Sequence, residues 1–143
     1  MKVRELMTKN PACATPDMPL SKVAKLMVDE NVGAIPVIEN KDSHRVVGVV
    51  TDRDIAVRAV AREKNPLLMV AMDIMSADVV TVKADDDVQD VARLMEKNQI
   101  RRIPVLDEKG EVCGIVAQAD IALKTSDRTT ADVVQSVSKP ARM

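Results

Sequence analysis

Two aspartates, Asp54 and Asp120, occupy the same place in two similar stretches of the sequence. Asp54 follows the apolar run Val46–Thr51 in a Thr-x-x-Asp step, and Asp120 follows the related run Val112–Ala117, in which Ala117 replaces the threonine. A carboxylate accepts two donors side by side, and a hydroxyl at a helix N-terminus can join the backbone N–H groups there in holding an anion. The pattern therefore indicates two candidate ligand-binding junctions.

The same pattern has a purely structural interpretation. A threonine followed three residues later by an acid is also a capping box, in which each side chain satisfies a backbone N–H at the start of a helix. In the second stretch Ala117 removes the threonine half while Asp120 remains, which favours a second role for the acid. Capping and ligand binding both stay open for Asp54 and for Asp120.

Composition excludes several classes of function. The 143 residues include no Phe, Tyr or Trp and carry a net charge of −1, so nucleic-acid binding lacks both its stacking platforms and its basic footprint. His44 is the only histidine, and Cys13 and Cys113 are the only cysteines. These residues assemble neither a metal site nor a catalytic Ser-His or Cys-His pair. We expect no enzyme activity, no metal and no cofactor.

Targeting signals are missing from the sequence. Lys2 and Arg4 are followed by Glu5 and not by the apolar stretch of a signal peptide. No apolar run approaches the roughly 20 residues that span a bilayer. We therefore expect a cytoplasmic protein without a membrane partner.

The sequence repeats itself, and the repeat sets the predicted domains. A shift of 68 residues places Met7 on Met75 and Ile35 on Ile103, and a shift of 66 beyond a shortened turn places Gly48 on Gly114. Self-similarity of this kind predicts two related structural units. We predict a first repeat over residues 1–64, a second over 65–124, and a polar C-terminal extension over 125–143.

Each copy is predicted to run helix, short strand, helix, strand, strand, helix. In the first copy the apolar spacing from Leu20 to Val28 predicts a helix that Gly33 ends, strands follow at 34–38 and 46–51, and a helix begins at Asp52. One further helix is predicted over 130–137. The fold class is α+β, with two small three-stranded sheets packed face to face about a pseudo-two-fold axis.

Four segments resemble one known family. They are Ala34-Ile35-Pro36-Val37, Arg102-Ile103-Pro104-Val105, the Gly48-to-Asp54 run and the Gly114-to-Asp120 run. Together they resemble a tandem pair of CBS domains (the Bateman module) over about residues 1–124, and more loosely the small stand-alone bacterial two-CBS proteins. The resemblance implies βαββα repeats that bind an adenosine-containing ligand in clefts between them, such as AMP, ADP, ATP, S-adenosylmethionine or NAD. It also implies a homodimer that senses energy or metabolite state without catalysis, with a regulated protein partner that the sequence does not name.

The resemblance also assigns roles to individual residues. Asp54 would hold the ribose hydroxyls and Thr51 a phosphate, with Arg53, Arg101 and Arg102 as cationic partners of that phosphate. The Asp120 site would be the poorer one, because Ala117 lacks a hydroxyl. The walls around the base would come from two segments: Cys13, Ala14, Thr15; and Ala34, Ile35, Pro36, Val37. The alternative is a structural or protein-interaction module whose clefts are unused.

Overall fold

The computed structural model describes residues 1–124, so the helix expected at 130–137 lies outside the described residues. The described residues form short 3-10 turns at Val3–Glu5 and Pro66–Leu68 and the following elements in chain order: β1 Thr8–Lys9, α1 Leu20–Glu30, β2 Ala34–Ile38, β3 Val46–Thr51, α2 Asp52–Ile55, α3 Ala71–Ile74, β4 Val82–Lys83, α4 Val88–Asn98, β5 Arg102–Leu106, β6 Val112–Ala117 and α5 Gln118–Lys124. Helix α2 continues as a π-helical turn over Ala56–Val60.

These elements belong to two compact units. The Asp54 unit contains Pro11–Val79 with Gly110–Val112. Among the described residues, the Asp120 unit contains Met1–Asn10, Val80–Lys109 and residues 113–124. Each unit has its own cluster of buried aliphatic side chains, so each unit packs around its own core.

The Asp54 unit is built on a two-stranded antiparallel sheet. Strands β2 and β3 pair along their length, with an irregularity between Val37 and Ile38. Ala14 makes a single parallel bridge to Val37 on one side, and Ser76 makes an antiparallel bridge to Val49 on the other. Both predicted strands are confirmed, because continuous apolar runs of this length are typical of buried strands.

Helix α1 covers this sheet and ends earlier than the sequence predicts. Leu20, Val23 and Met27 are its buried residues. The prediction that Gly33 ends the helix is wrong, because Asn31 adopts the left-handed conformation (φ 53°) directly after Glu30. Asparagine tolerates that conformation better than most residues because its short polar side chain can bond locally.

The Asp120 unit carries a four-stranded sheet in the order β1-β6-β5-β4. Strand β1 pairs antiparallel with β6, where Thr8 faces Ile115, and β4 pairs parallel with β5, where Val82 faces Val105. Helix α4 buries Val88, Val91, Ala92 and Met95 against the core. The segments β1, β6, β5 and β4 correspond in order to Ser76, β3, β2 and Ala14 of the Asp54 unit.

The N-terminal segment of each repeat pairs within the unit of the other repeat. Strand β1 comes from the first copy and pairs with β6 of the second, and Ser76 of the second copy pairs with Val49 of the first. The expected three-stranded sheets are therefore replaced by one four-stranded sheet and one two-stranded sheet with a bridge on each side. The predicted boundaries at residues 64 and 124 therefore divide the sequence into repeats, and they do not coincide with the limits of the two compact units.

The predicted α+β class, with two small sheets and covering helices, is confirmed. No helix within residues 1–124 combines the length and the apolar character needed to cross a membrane.

Candidate functional site

Thr51 and Asp54 form a complete capping box at the start of α2. The N–H of Thr51 donates to Oδ2 of Asp54 at 2.9 Å, and the N–H of Asp54 donates to Oγ1 of Thr51 at 3.1 Å. The structural interpretation of this motif is therefore satisfied in full. Oδ1 of Asp54 takes no part in the box, which leaves it available as an acceptor of further hydrogen bonds.

Asp120 keeps half of the same arrangement at the start of α5. Its Oδ2 accepts the N–H of Ala117 at 2.8 Å. The sequence argument that Asp120 had lost its capping partner is thus incomplete, since the carboxylate still satisfies a backbone donor without the threonine. Retention of the acid in the second copy needs no ligand to explain it.

Acids in this position recur elsewhere in the chain. Asp73 accepts the N–H of Val70 at 2.8 Å, and Asp86 accepts the N–H of Lys83 at 2.9 Å. A carboxylate that accepts the backbone N–H three residues earlier therefore recurs throughout this fold. The side chain of Asp54 is 14% exposed, whereas Asp73 lies exposed at the surface.

Arg58 also distinguishes the Asp54 junction, and the sequence argument did not identify it. Its Nε lies 3.9 Å from Oδ1 of Asp54, and its Nη1 donates to the carbonyl of Ile74 at 2.9 Å. The spacing of four residues from Asp54 along a helix is a signal that could have found it. The contact with Ile74 is tertiary and has no signal in the local sequence.

The backbone beside the predicted base walls is interrupted by two prolines. Ala14 donates to the carbonyl of Pro36 at 2.9 Å and accepts from Ile38 at 2.8 Å. The next two bonds of a parallel ladder would need N–H groups at positions 36 and 16, and proline has none. The bridge therefore stops after one residue, and the carbonyl of Ala12 has no N–H opposite it at position 36.

Most side chains of the predicted base walls belong to the core. Ala14, Ile35 and Val37 are fully buried members of the apolar cluster of the Asp54 unit, and Ala34 is 3% exposed. Thr15 donates its hydroxyl to Oδ1 of Asp17 at 2.7 Å. A role in ligand binding for these positions would therefore fall mainly to their backbone groups, and it stays a prediction.

Both cysteines are protonated thiols at neutral pH. Burial raises the pKa of Cys13 to about 11, and its thiol donates to the carbonyl of Pro11 at 3.3 Å. Burial, with the charge of Asp107 second, also raises the pKa of Cys113. Thiols of this kind are poor nucleophiles and poor metal ligands.

The predicted cationic partners are placed in different units. Arg53 is exposed on α2 of the Asp54 unit, whereas Arg101 and Arg102 belong to the Asp120 unit, where Arg102 begins β5. The carbonyl of Arg101 accepts the N–H of Gln118 at 2.8 Å, just as the carbonyl of Gly33 accepts the N–H of Asp52 at 2.9 Å. The fold uses the backbone at this position in both copies, so the arginine side chains are not needed for it.

Within residues 1–124 no three His, Cys, Asp or Glu side chains are grouped so that they could hold a metal ion. The sole histidine, His44, lies at an exposed turn.

Comparison with known proteins connects this geometry to a family. The CBS domain profile matches residues 3–60 and 70–126. The chain is 36% identical over 129 residues to the CBS domain-containing protein YhcV of Bacillus subtilis, covering 90% of this chain and 89% of that protein. It is 32% identical over 121 residues to the protein MK0525 of Methanopyrus kandleri, covering 85% of this chain but only 61% of the relative.

Solved structures agree with the sequence comparison. The CBS domain pair of MJ0100, in complex with 5-methylthioadenosine and S-adenosylmethionine, has a TM-score of 0.77 and 30% identity over 86% of this chain and 94% of its own. CBSX2 in complex with AMP has a TM-score of 0.70 and 25% identity over 85% and 93%. Hypoxic Response Protein I, a Mycobacterium tuberculosis relative solved with two coordinated zinc ions, has a TM-score of 0.78 and 29% identity over 88% and 100%. Two matched repeats, and a relative of nearly the same length that is 36% identical, show that this chain belongs to the CBS domain family, as a CBS-pair regulatory module.

Proposed function

We propose that the protein binds an adenosine-containing ligand, such as AMP, ADP or ATP, at the Thr51–Asp54 junction, and that it acts as a non-catalytic sensor in the cytoplasm. The observation that carries the proposal is the carboxylate of Asp54. It is 14% exposed, its Oδ2 is used by the N–H of Thr51, and its Oδ1 lies outside the capping box. A largely buried acceptor of this kind matches a ligand that offers neighbouring hydroxyls.

Ribose is the part of the ligand that this carboxylate suits. Each carboxylate oxygen accepts two hydrogen bonds, so Oδ1 and the second lone pair of Oδ2 of Asp54 can together take both ribose hydroxyls. Hydrogen bonds to an ionised group are shorter and stronger than those between neutral groups. The Thr51 hydroxyl is already engaged by the N–H of Asp54, so a phosphate would meet it as an additional partner.

An adenine base would be held without aromatic stacking, because the chain has no aromatic residue. We propose that backbone groups take over that role. The carbonyl of Ala12 lies opposite Pro36, which has no N–H to offer it, and an exocyclic amino group of adenine is a suitable donor. The buried Ala14 and Ile35 then form apolar surroundings.

The ligands named for the relatives support this assignment through their common part. 5-Methylthioadenosine, S-adenosylmethionine and AMP differ in charge and in their 5′ substituents, but all three carry adenine on a ribose ring with 2′ and 3′ hydroxyls. A site that recognises ribose through Asp54 and the base through backbone groups would suit each of them. The 5′ substituent would then decide which one this protein prefers.

Calorimetric titration with AMP, ATP, S-adenosylmethionine and adenosine tests the proposal. Asp54→Asn keeps an oxygen for the N–H of Thr51 but replaces acceptor capacity by an NH₂ donor, so we expect at least about tenfold weaker binding. Asp73→Asn is the matched control, since Asp73 caps a helix of the same unit in the same way. Equal effects of the two variants, or no binding of any adenosyl compound, would refute the proposal.

A second candidate function is suggested by apolar side chains that lie on the surface of the Asp54 unit. They include Val60, Leu67, Leu68 and Met72, which are 58–83% exposed. Leu67 and Leu68 are neighbours in the chain, and neighbouring exposed apolar side chains are typical of an interaction surface. We propose that this surface forms a homodimer, and that a module with an unused ligand site would still serve as a protein-interaction element.

A further inference from the structure

We propose that Arg58 is a positioning residue for Asp54, and that it ties the ligand-binding carboxylate to the chain segment around Ile74. This inference deepens the proposed function and rests on it. It concerns a residue that sequence reasoning did not single out. Its basis is a closed series of contacts within the Asp54 unit.

The series of contacts starts at Val49 on strand β3 and returns to the segment that is bonded to Val49. Ser76 and Val49 exchange two backbone hydrogen bonds, at 2.9 and 3.0 Å, which fix the segment after α3 to the strand. Two residues beyond Val49, Thr51 ends the strand and holds Asp54 through the capping box. Arg58 then returns from the helix to the carbonyl of Ile74, two residues before Ser76. The carboxylate is thus linked to the fixed segment from both sides.

Arg58 is suited to this position by its shape. A guanidinium has donors pointing in several directions in one plane, so it can bond the Ile74 carbonyl through Nη1 while Nε faces Oδ1 of Asp54 at 3.9 Å. A lysine has a single ammonium group and cannot address both acceptors in this way. At 3.9 Å the charge restrains the carboxylate without consuming Oδ1 in a hydrogen bond.

The helix is also locally widened where it carries Arg58. Ala61 donates to the carbonyl of Ala56 at 2.8 Å and Lys64 to that of Ala59 at 3.0 Å, both five residues back. Such π-helical turns are rare and are frequent at functional sites. The turn over Ala56–Val60 contains Arg58, and a change in helical pitch there sets the direction in which its side chain leaves the helix.

The expected consequence is selective. Without Arg58, Oδ1 of Asp54 loses its restraint, and only the bond from the N–H of Thr51 to Oδ2 still holds the carboxylate. We expect Arg58→Gln to weaken AMP binding by about fivefold, within the range measured for coupled side chains. Arg58→Lys should bind AMP more tightly than Arg58→Gln but more weakly than the wild type, because lysine keeps the charge but not the double contact.

A double-mutant cycle tests the proposal, with dissociation constants for AMP measured by calorimetry. Arg58→Gln should weaken binding in the wild-type background and have no further effect in Asp54→Asn. Arg62→Gln, which removes the same charge from an exposed position one turn later, is the matched control and should bind like the wild type. Equal losses in both backgrounds, or no loss in either, would overturn the positioning role.

The same four proteins separate this inference from the proposed function. If wild type binds no AMP, the proposed function fails, and the cycle is evaluated on urea unfolding without ligand. Non-additive effects of Arg58→Gln and Asp54→Asn would then still support a positioning contact, and additive effects would overturn it.

Discussion

Met75 packs its thioether directly over Gly48, at the middle of strand β3. A β-carbon on Gly48 would lie 2.6 Å from Sδ of Met75 and 3.1 Å from the carbonyl oxygen of Ser76. Met7 has the same relationship to Gly114 in the Asp120 unit, where the corresponding sulfur distance would be 2.5 Å. The glycine in each strand is therefore required by the close approach of the segment that the other repeat contributes.

Gly48→Ala should destabilise the protein by about 1–3 kcal/mol, the usual cost of overpacking. The methionine can move, but the Ser76 carbonyl is held by its bond to Val49. Urea unfolding measures the change. Gly48→Ala should cost less stability in a Met75→Ala background than in the wild type. A fully additive result would contradict the packing argument.

Thr51→Ala converts the first junction into the form that the second already has. The N–H of Asp54 loses its acceptor, while the carboxylate of Asp54 still accepts the backbone N–H of position 51, as Asp120 accepts that of Ala117. We expect a loss of about 1 kcal/mol in unfolding free energy. The reciprocal variant Ala117→Thr should gain a similar amount by completing the box, and a loss of stability in that variant would contradict this account.

The sequence predicts the elements better than it predicts their partners. Apolar runs and periodicity correctly place β2, β3 and α1, because burial in one element dictates a local pattern. A repeat cannot reveal that Ser76 pairs with Val49 of the other copy, since both copies offer equivalent strands. The contact from Arg58 to Ile74 is likewise tertiary. Helix α1 ends at Glu30, three residues before Gly33, because Asn31 adopts the left-handed conformation there.

Stability should depend on alkaline pH through Cys13. Its pKa is raised from its usual 9.0 to about 11 by burial, so the folded state holds the proton more tightly than the unfolded chain. Its contribution is fully present below pH 9 and is lost as the pH rises through 11, a fall of roughly 2 kcal/mol. Unfolding of wild type and Cys13→Ala from pH 7 to 11 should show a shallower decline in the variant, and parallel curves would contradict burial as the cause.

We predict that Arg101 and Arg102 contribute to binding of the phosphate and not of the nucleoside, which is the role that the family resemblance implies. The double variant Arg101→Ala, Arg102→Ala keeps the carbonyl that holds Gln118, so we expect it to fold. AMP should bind about tenfold more weakly, whereas adenosine should bind as before. Calorimetry with both ligands measures this, with Arg93→Ala, an exposed partner of Asp90 in the same unit, as the control. Equal losses for AMP and adenosine would refute the assignment.

The apolar surface of the Asp54 unit should control oligomeric state. Leu67 and Leu68 are 73% and 83% exposed, so replacing both by lysine removes little core packing and should leave the circular dichroism spectrum unchanged. If this surface joins two copies, burying two lysines in each is prohibitive, and sedimentation should show a homodimer in wild type and a monomer in the variant. Asp42→Lys, a charge change at an exposed turn of the same unit, should remain dimeric. A variant that sediments like the wild type would place the contact elsewhere.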